Sequence, residues 1–90
     1  DKPVFVTEFG KMGEPGTHDP ERIKDITEAV TAMKARPWTI GGSLWTWNDY
    51  QSLHRGTPAS GIRYWGVVNV NREHRDSWDA VQKLFTTELP

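Results

Sequence analysis

Cysteine is absent from this chain of 90 residues, which excludes a disulfide framework and thiolate metal ligands. Long apolar runs are also missing, and nothing approaches the eighteen or so residues that a membrane span requires, so no membrane partner is expected. Charge of one sign is lacking as well. Eleven Lys and Arg stand against twelve Asp and Glu, and the cations are scattered rather than gathered on one stripe, which leaves no footprint for nucleic acid. The three histidines, His18, His54 and His74, have no spacing that sets two on one helical face, so no metal site is expected. What the chain does have is a soluble, globular balance, with 36% hydrophobic and 26% charged residues. It also has five tryptophans, an excess that either a core or a ligand must explain.

Residues 2–8, KPVFVTE, are rich in Val, Phe and Thr and lie between Pro3 and Gly10, which predicts a short buried strand. Strict alternation would set Val4, Val6 and Glu8 on one face. A loop follows, and Asp19 then reads as the N-cap of a helix with Pro20 in its first turn. Ile23, Ile26, Val30 and Met33 recur at helical spacing as far as about Arg36, and Pro37 ends the helix. IGGSLWTWN from Ile40 reads as a second strand, with Ser43, Trp45 and Trp47 on a common face; Gly41 and Gly42 suit close helix-to-strand packing. Residues 49–64 are turn-rich and longer than most connections, which makes them a candidate functional loop. WGVVNV reads as a brief extended piece. Asp76 or Ser77 then caps a last helix whose apolar face is Trp78, Val81, Leu84 and Phe85.

The order strand, helix, strand, helix is two consecutive βα units, an α/β arrangement that implies parallel strands. Two parallel strands leave open edges and an uncovered face, so the chain is expected to be incomplete on its own. A (β/α)8 barrel takes roughly 250 residues for eight units, and two units would be about a quarter of one. In such barrels the reactive groups stand at the C-terminal ends of the strands, which is where Glu8 falls. An aromatic at the next strand end suits carbohydrate. Sugar rings offer C–H faces to aromatic planes, while a carboxylate attacks or stabilises an electron-poor anomeric carbon.

Three stretches, KPVFVTEFG, GGSLWTWND and RYWGVVNVNREHRDSWDAVQKLF, together resemble the end of the catalytic barrel of glycoside hydrolase family 2, the β-galactosidases, β-glucuronidases and β-mannosidases. The resemblance covers nearly all of the chain, and the first stretch alone is shared with family 5 endoglucanases and mannanases. It implies that residues 1–90 are the seventh and eighth βα units of a TIM barrel and no complete independent domain. It implies a retaining β-glycosidase in which Glu8 is the nucleophile and Trp45 one wall of the sugar subsite. Trp47, Asn48, Asp49 and Lys11 are the further candidates for substrate contact. Carbohydrate and the remainder of the barrel are the implied partners, and no cofactor is implied. Two departures count against parts of the match. REHRDSW replaces the usual Arg-Pro-Lys turn, and no Asn-x-Lys element follows the eighth strand, which leaves a glucuronidase the least supported activity.

Plainer roles stand beside these. Glu8 could be a solvated or salt-bridged strand-end glutamate, and Trp45 and Trp47 could fill a core. Trp38, Trp65 and Trp78 read as packing, and Arg72 and Arg75 as a solvated face. His54 and Arg55 could reach a sugar hydroxyl. The rival functions are a stand-alone carbohydrate-binding module and a fragment that self-associates through its strand edges. A retaining glycosidase needs two carboxyl groups about 5–5.5 Å apart. The resemblance puts the acid/base Glu upstream, with Glu14 and Asp49 the nearest substitutes here. The 90-residue chain alone is therefore expected to be inert, and enzyme-like turnover of an aryl glycoside by the purified chain would contradict that.

Overall fold

Val4, Phe5, Val6 and Thr7 favour extended backbone. The computed structural model, which describes residues 2–88, forms strand β1 at Val4–Phe9. Helix α1 spans Asp19–Lys34 with Pro20 in its first turn, and β2 spans Thr39–Leu44. Two short strands, β3 at Tyr50–Gln51 and β4 at Ile62–Arg63, pair antiparallel within the expected loop. Helix α2 spans Ser77–Lys83 and runs on into a π-helical turn at Leu84–Glu88. No described helix is long and apolar enough to cross a membrane.

β1 and β2 pair in parallel through the α1 crossover, as the βα order requires. Their sheet has two strands only, so each keeps an unpaired edge. The core lies between this sheet and the helices. Ile26, Val30 and Met33 of α1 meet Leu84, and Val6, Phe9, Leu44 and Val81 pack against them. Each such aliphatic side chain contributes about 1.5–3 kcal/mol by leaving water. Val4, Phe5 and Ile40 remain exposed.

Strict alternation fails in both strands. Between Val6 and Phe9 the register slips: Val6 pairs with Gly42, and Phe9, three residues on, pairs with Leu44, two residues on. A bulge of this kind turns the bulged strand. Val6 and Phe9 both reach the core, and Glu8 does not share the face of Val6. In the second strand the ladder ends at Leu44, short of the expected Asn48, and the Trp45–Thr46 peptide is cis. Past the end of the ladder Trp45 and Trp47 line different cavities.

The largest departure from the sequence reading is electrostatic. Asp19 does not cap α1 in the expected way; the N-cap is His18, which makes no side-chain capping bond. Asp19 is buried instead, and its carboxylate accepts from Gly16 N–H (3.0 Å), Arg22 Nη1 (3.3 Å) and Arg75 Nη2 (2.6 Å). Arg75, expected on a solvated face, is only 5% exposed and also pairs with buried Asp49 at 3.1 Å. At α2 the N-cap is Asp76, one of the two expected, without a side-chain capping bond, while the Ser77 hydroxyl accepts from Arg22 Nη1 at 3.1 Å. Arg22 satisfies every N–H it has, the others going to the carbonyls of Lys11 (2.7 Å), Trp65 (3.1 Å) and Gly66 (2.8 Å). Burial and the neighbouring Arg75 charge lower its pKa, against the pull of Asp19, and the guanidinium stays charged at any working pH.

Breaking a buried pair by removing one partner costs about 3–5 kcal/mol, because the other charge is left uncompensated. Arg75→Met is therefore expected to destabilise the polypeptide that carries this chain by about that amount in denaturant unfolding. Arg72→Ala, at an exposed position, should stay within about 0.5 kcal/mol. Equal effects would contradict the assignment.

Candidate active site

Glu8 stands at the C-terminal end of β1, exposed, and makes no hydrogen bond or ion pair with any described residue. The chain next to it is held tightly. Trp45 N–H donates to Phe9 carbonyl at 2.7 Å, continuing the strand pairing for one more residue. Gly10 lies so close that a Cβ there would overlap the Trp45 carbonyl oxygen. This accounts for the glycine that follows Phe9: only a residue without a side chain lets the two strand ends meet.

Trp45, 41% exposed, stands edge-on to Tyr50 with ring centroids 6.0 Å apart, and its indole Nε1 donates to Tyr50 Oη at 3.3 Å. Tyr50 belongs to β3 and is opposite Arg63 of β4. Glu8, Trp45, Tyr50, Ser52, His54, Arg63 and Trp65 together line an open cleft of about 400 Å³. Trp65 is brought there by a second run of backbone bonds, in which its carbonyl accepts from Thr46 N–H at 3.1 Å and Val67 N–H donates to the Trp47 carbonyl at 2.9 Å.

Of the residues singled out by sequence, the cleft gathers Glu8, Trp45 and His54, and leaves out Arg55. Trp47 is 58% exposed but points elsewhere: its ring meets Trp78 edge-on at 4.9 Å, and the two line a separate apolar groove with Val81 and Phe85. That groove, about 500 Å³, is larger than the cleft. No titratable side chain lines it, whereas Glu8, His54 and Arg63 line the smaller cleft. Asp49 is 1% exposed, and its Oδ1 accepts from Gly66 N–H (2.7 Å) and Arg75. It serves the interior rather than a ligand. Asn48 Nδ2 donates to the Asp49 carbonyl at 2.8 Å. Lys11 lies 3.5 Å from Asp25 and 4.0 Å from Glu21, on α1. None of these three lines the cleft, and neither does Glu14, so Glu8 is its one carboxylate among the described residues. Tyr50, Ser52, Arg63 and Trp65 are additions; Trp65 had read as packing. The length of the 49–64 loop was the signal for the first three.

No family model and no curated protein matches the chain. Solved structures do. The β-glucuronidase of Faecalibacterium prausnitzii superposes with a TM-score of 0.82 at 20% identity over 99% of this chain and 16% of that one. The β-D-glucuronidase of Dictyoglomus thermophilum gives 0.82 at 23% identity, again over 99% and 16%. A GH2 β-galacturonidase from Eisenbergiella tayi gives 0.78 at 20% identity, over 91% and 16%. The chain thus has the fold of a segment of these glycosidases and spans about a sixth of their length, which meets the expected resemblance at the level of fold.

Gly10→Ala is expected to push the Trp45 backbone away from β1. Overpacking of this kind typically costs about 1–3 kcal/mol, to be read as lost stability in denaturant unfolding of the polypeptide that carries this chain. Lys24→Ala, at an exposed position of α1, serves as the control in the same unfolding assay and should stay within about 0.5 kcal/mol.

Proposed function

We propose that the chain is the seventh and eighth βα units of a (β/α)8 barrel in a retaining β-glycosidase, with Glu8 as its nucleophile and Trp45 as one wall of the sugar subsite. The observation that carries this is the juxtaposition of an unpartnered strand-end carboxylate and a half-exposed indole in one cleft. The fold shared with part of the β-glucuronidases and the β-galacturonidase supports it. So do the unpaired strand edges and exposed Val4, Phe5 and Ile40, which a parallel barrel covers with its remaining units. The same features favour assembly with the rest of a barrel over a stand-alone binding module.

In this reading the Glu8 carboxylate attacks the anomeric carbon as the glycosidic C–O bond breaks, and a second carboxyl group protonates the leaving oxygen. Water then attacks the glycosyl ester, giving its proton to that second group and releasing Glu8. Glu8 is the one carboxylate of the cleft among the described residues, so in this reading the acid/base is supplied from outside them. Trp45 offers its face to the C–H groups of the ring, and Tyr50 Oη, engaged by the indole N–H, fixes its orientation.

Two substitutions in the whole protein test this. Glu8→Gln should lower kcat by roughly 10⁴-fold or more, as loss of a nucleophile does. A 2-deoxy-2-fluoro aryl glycoside should label Glu8 in a peptide map of the unsubstituted protein. Label on another carboxylate would remove Glu8 from the role. Trp45→Ala should cost up to about tenfold, mainly in KM, in keeping with an aromatic contact of about 0.5–1.5 kcal/mol.

A further inference from the structure

The loop between β3 and β4 is tied down in an unusual degree of detail around one side chain. His54 N–H donates to Ser52 Oγ at 3.0 Å, and the His54 carbonyl accepts from both Thr57 N–H (3.1 Å) and Thr57 Oγ1 (2.7 Å). Arg63 secures the same turn from β4, with Nε donating to Thr57 Oγ1 at 3.0 Å and Nη2 to the Arg55 carbonyl at 2.8 Å. The imidazole is fixed too, because its Nδ1 lies 3.0 Å from the Arg55 carbonyl oxygen.

That last contact decides what the ring can do. A carbonyl only accepts, so in the neutral imidazole the proton sits on Nδ1 and Nε2 carries a lone pair. Arg63 Nη2 and His54 Nδ1 together use both lone pairs of the Arg55 oxygen, which holds the tautomer in place. Nε2 has no partner among the described residues, and His54 lines the same cleft as Glu8 and Trp45.

We propose that His54 is a specificity-determining residue of the Glu8 cleft, its Nε2 accepting a hydrogen bond from one hydroxyl group of the bound sugar. The proposal rests on the glycosidase reading and adds to it a named atom and a named interaction. A site that hydrogen-bonds one substrate hydroxyl discriminates against the analogue that lacks it, because a polar group is then left unpaired.

The test uses the whole protein and p-nitrophenyl β-glycosides of glucose, galactose, mannose and glucuronic acid, followed by the monodeoxy forms of whichever is cleaved. His54→Ala should lower kcat/KM about tenfold on the parent glycoside and leave one monodeoxy analogue unaffected. His54→Gln, whose amide reaches the position of Nε2, should restore most of the loss. A purely structural role would lower every analogue alike. Uniform loss, or no loss on any analogue, overturns the proposal. In unsubstituted protein labelled with ¹⁵N-histidine, Nε2 should appear unprotonated and shift towards the protonated value when sugar saturates the cleft; an Nε2–H tautomer also overturns it. If the unsubstituted protein cleaves none of the four glycosides and binds no sugar, the glycosidase reading fails and this proposal falls with it. If cleavage proceeds with Glu8 labelled while His54→Ala is silent, the His54 assignment alone fails.

Discussion

The arrangement rests on two buried arginines and the two aspartates between them. Arg22 and Arg75 reach the backbone carbonyls of Lys11, Gly13, Tyr64, Trp65 and Gly66, and Asp19 and Asp49 neutralise them from either side. Those carbonyls belong to two loops, one leaving β1 and one approaching α2. Loop backbone buried in this way would otherwise be unsatisfied, and a guanidinium, with five donors in a fixed fork, can serve several carbonyls at once. Such a network contributes little net free energy beyond what well-packed apolar residues would give, since desolvation offsets most of the attraction. Its effect is on geometry. It fixes which loop lies against which, and so where the residues beside those loops come to stand.

The cleft inherits that order. Glu8 precedes the loop that Arg22 and Arg75 hold, and Trp65, which also lines the cleft, gives its carbonyl to Arg22. Gly66 carries the constraint across to the second strand end. Its N–H donates to Asp49 Oδ1, and a Cβ on it would overlap the Asn48–Asp49 backbone. Asp49 thus matters to the site without touching it, by locking residues 45–50 against residues 64–68. A residue that sequence places beside a candidate nucleophile can act on its position through the backbone alone.

How much of this was legible follows from where each signal sits. Helix α1 announced itself because Ile26, Val30 and Met33 repeat at its own period, and β1 because its residues favour extended backbone. The placing of Glu8 and Trp45 at neighbouring strand ends came from order and resemblance, and it holds. The burial of Arg75 was hidden, because a charged residue in a polar stretch is exposed by default and its partner Asp19 lies 56 positions away. Pairing of the two-residue strands β3 and β4 leaves no periodic trace, so the loop could be flagged by its length and His54 named within it, but Tyr50, Ser52 and Arg63 could not be chosen. Trp47 was misplaced by extending alternation past Leu44, where the ladder stops.

The cleft therefore has parts of two kinds. Glu8 and Trp45 are positioned by strand pairing, by the Phe9–Trp45 backbone bond and by the close approach at Gly10, all of which involve main-chain atoms. Tyr50, Ser52, His54 and Arg63 stand on a short hairpin whose strands pair through the main chain and whose tip is further ordered by side chains bonding to one another and to nearby carbonyls. Main-chain geometry tolerates most substitutions elsewhere, whereas a hairpin held by Ser52, Thr57 and Arg63 changes shape when any of them does. On the glycosidase reading, this assigns bond-breaking to the rigid part and the choice of sugar to the adaptable one. A scaffold divided in this way can exchange substrates through loop residues while its reactive carboxylate stays in register.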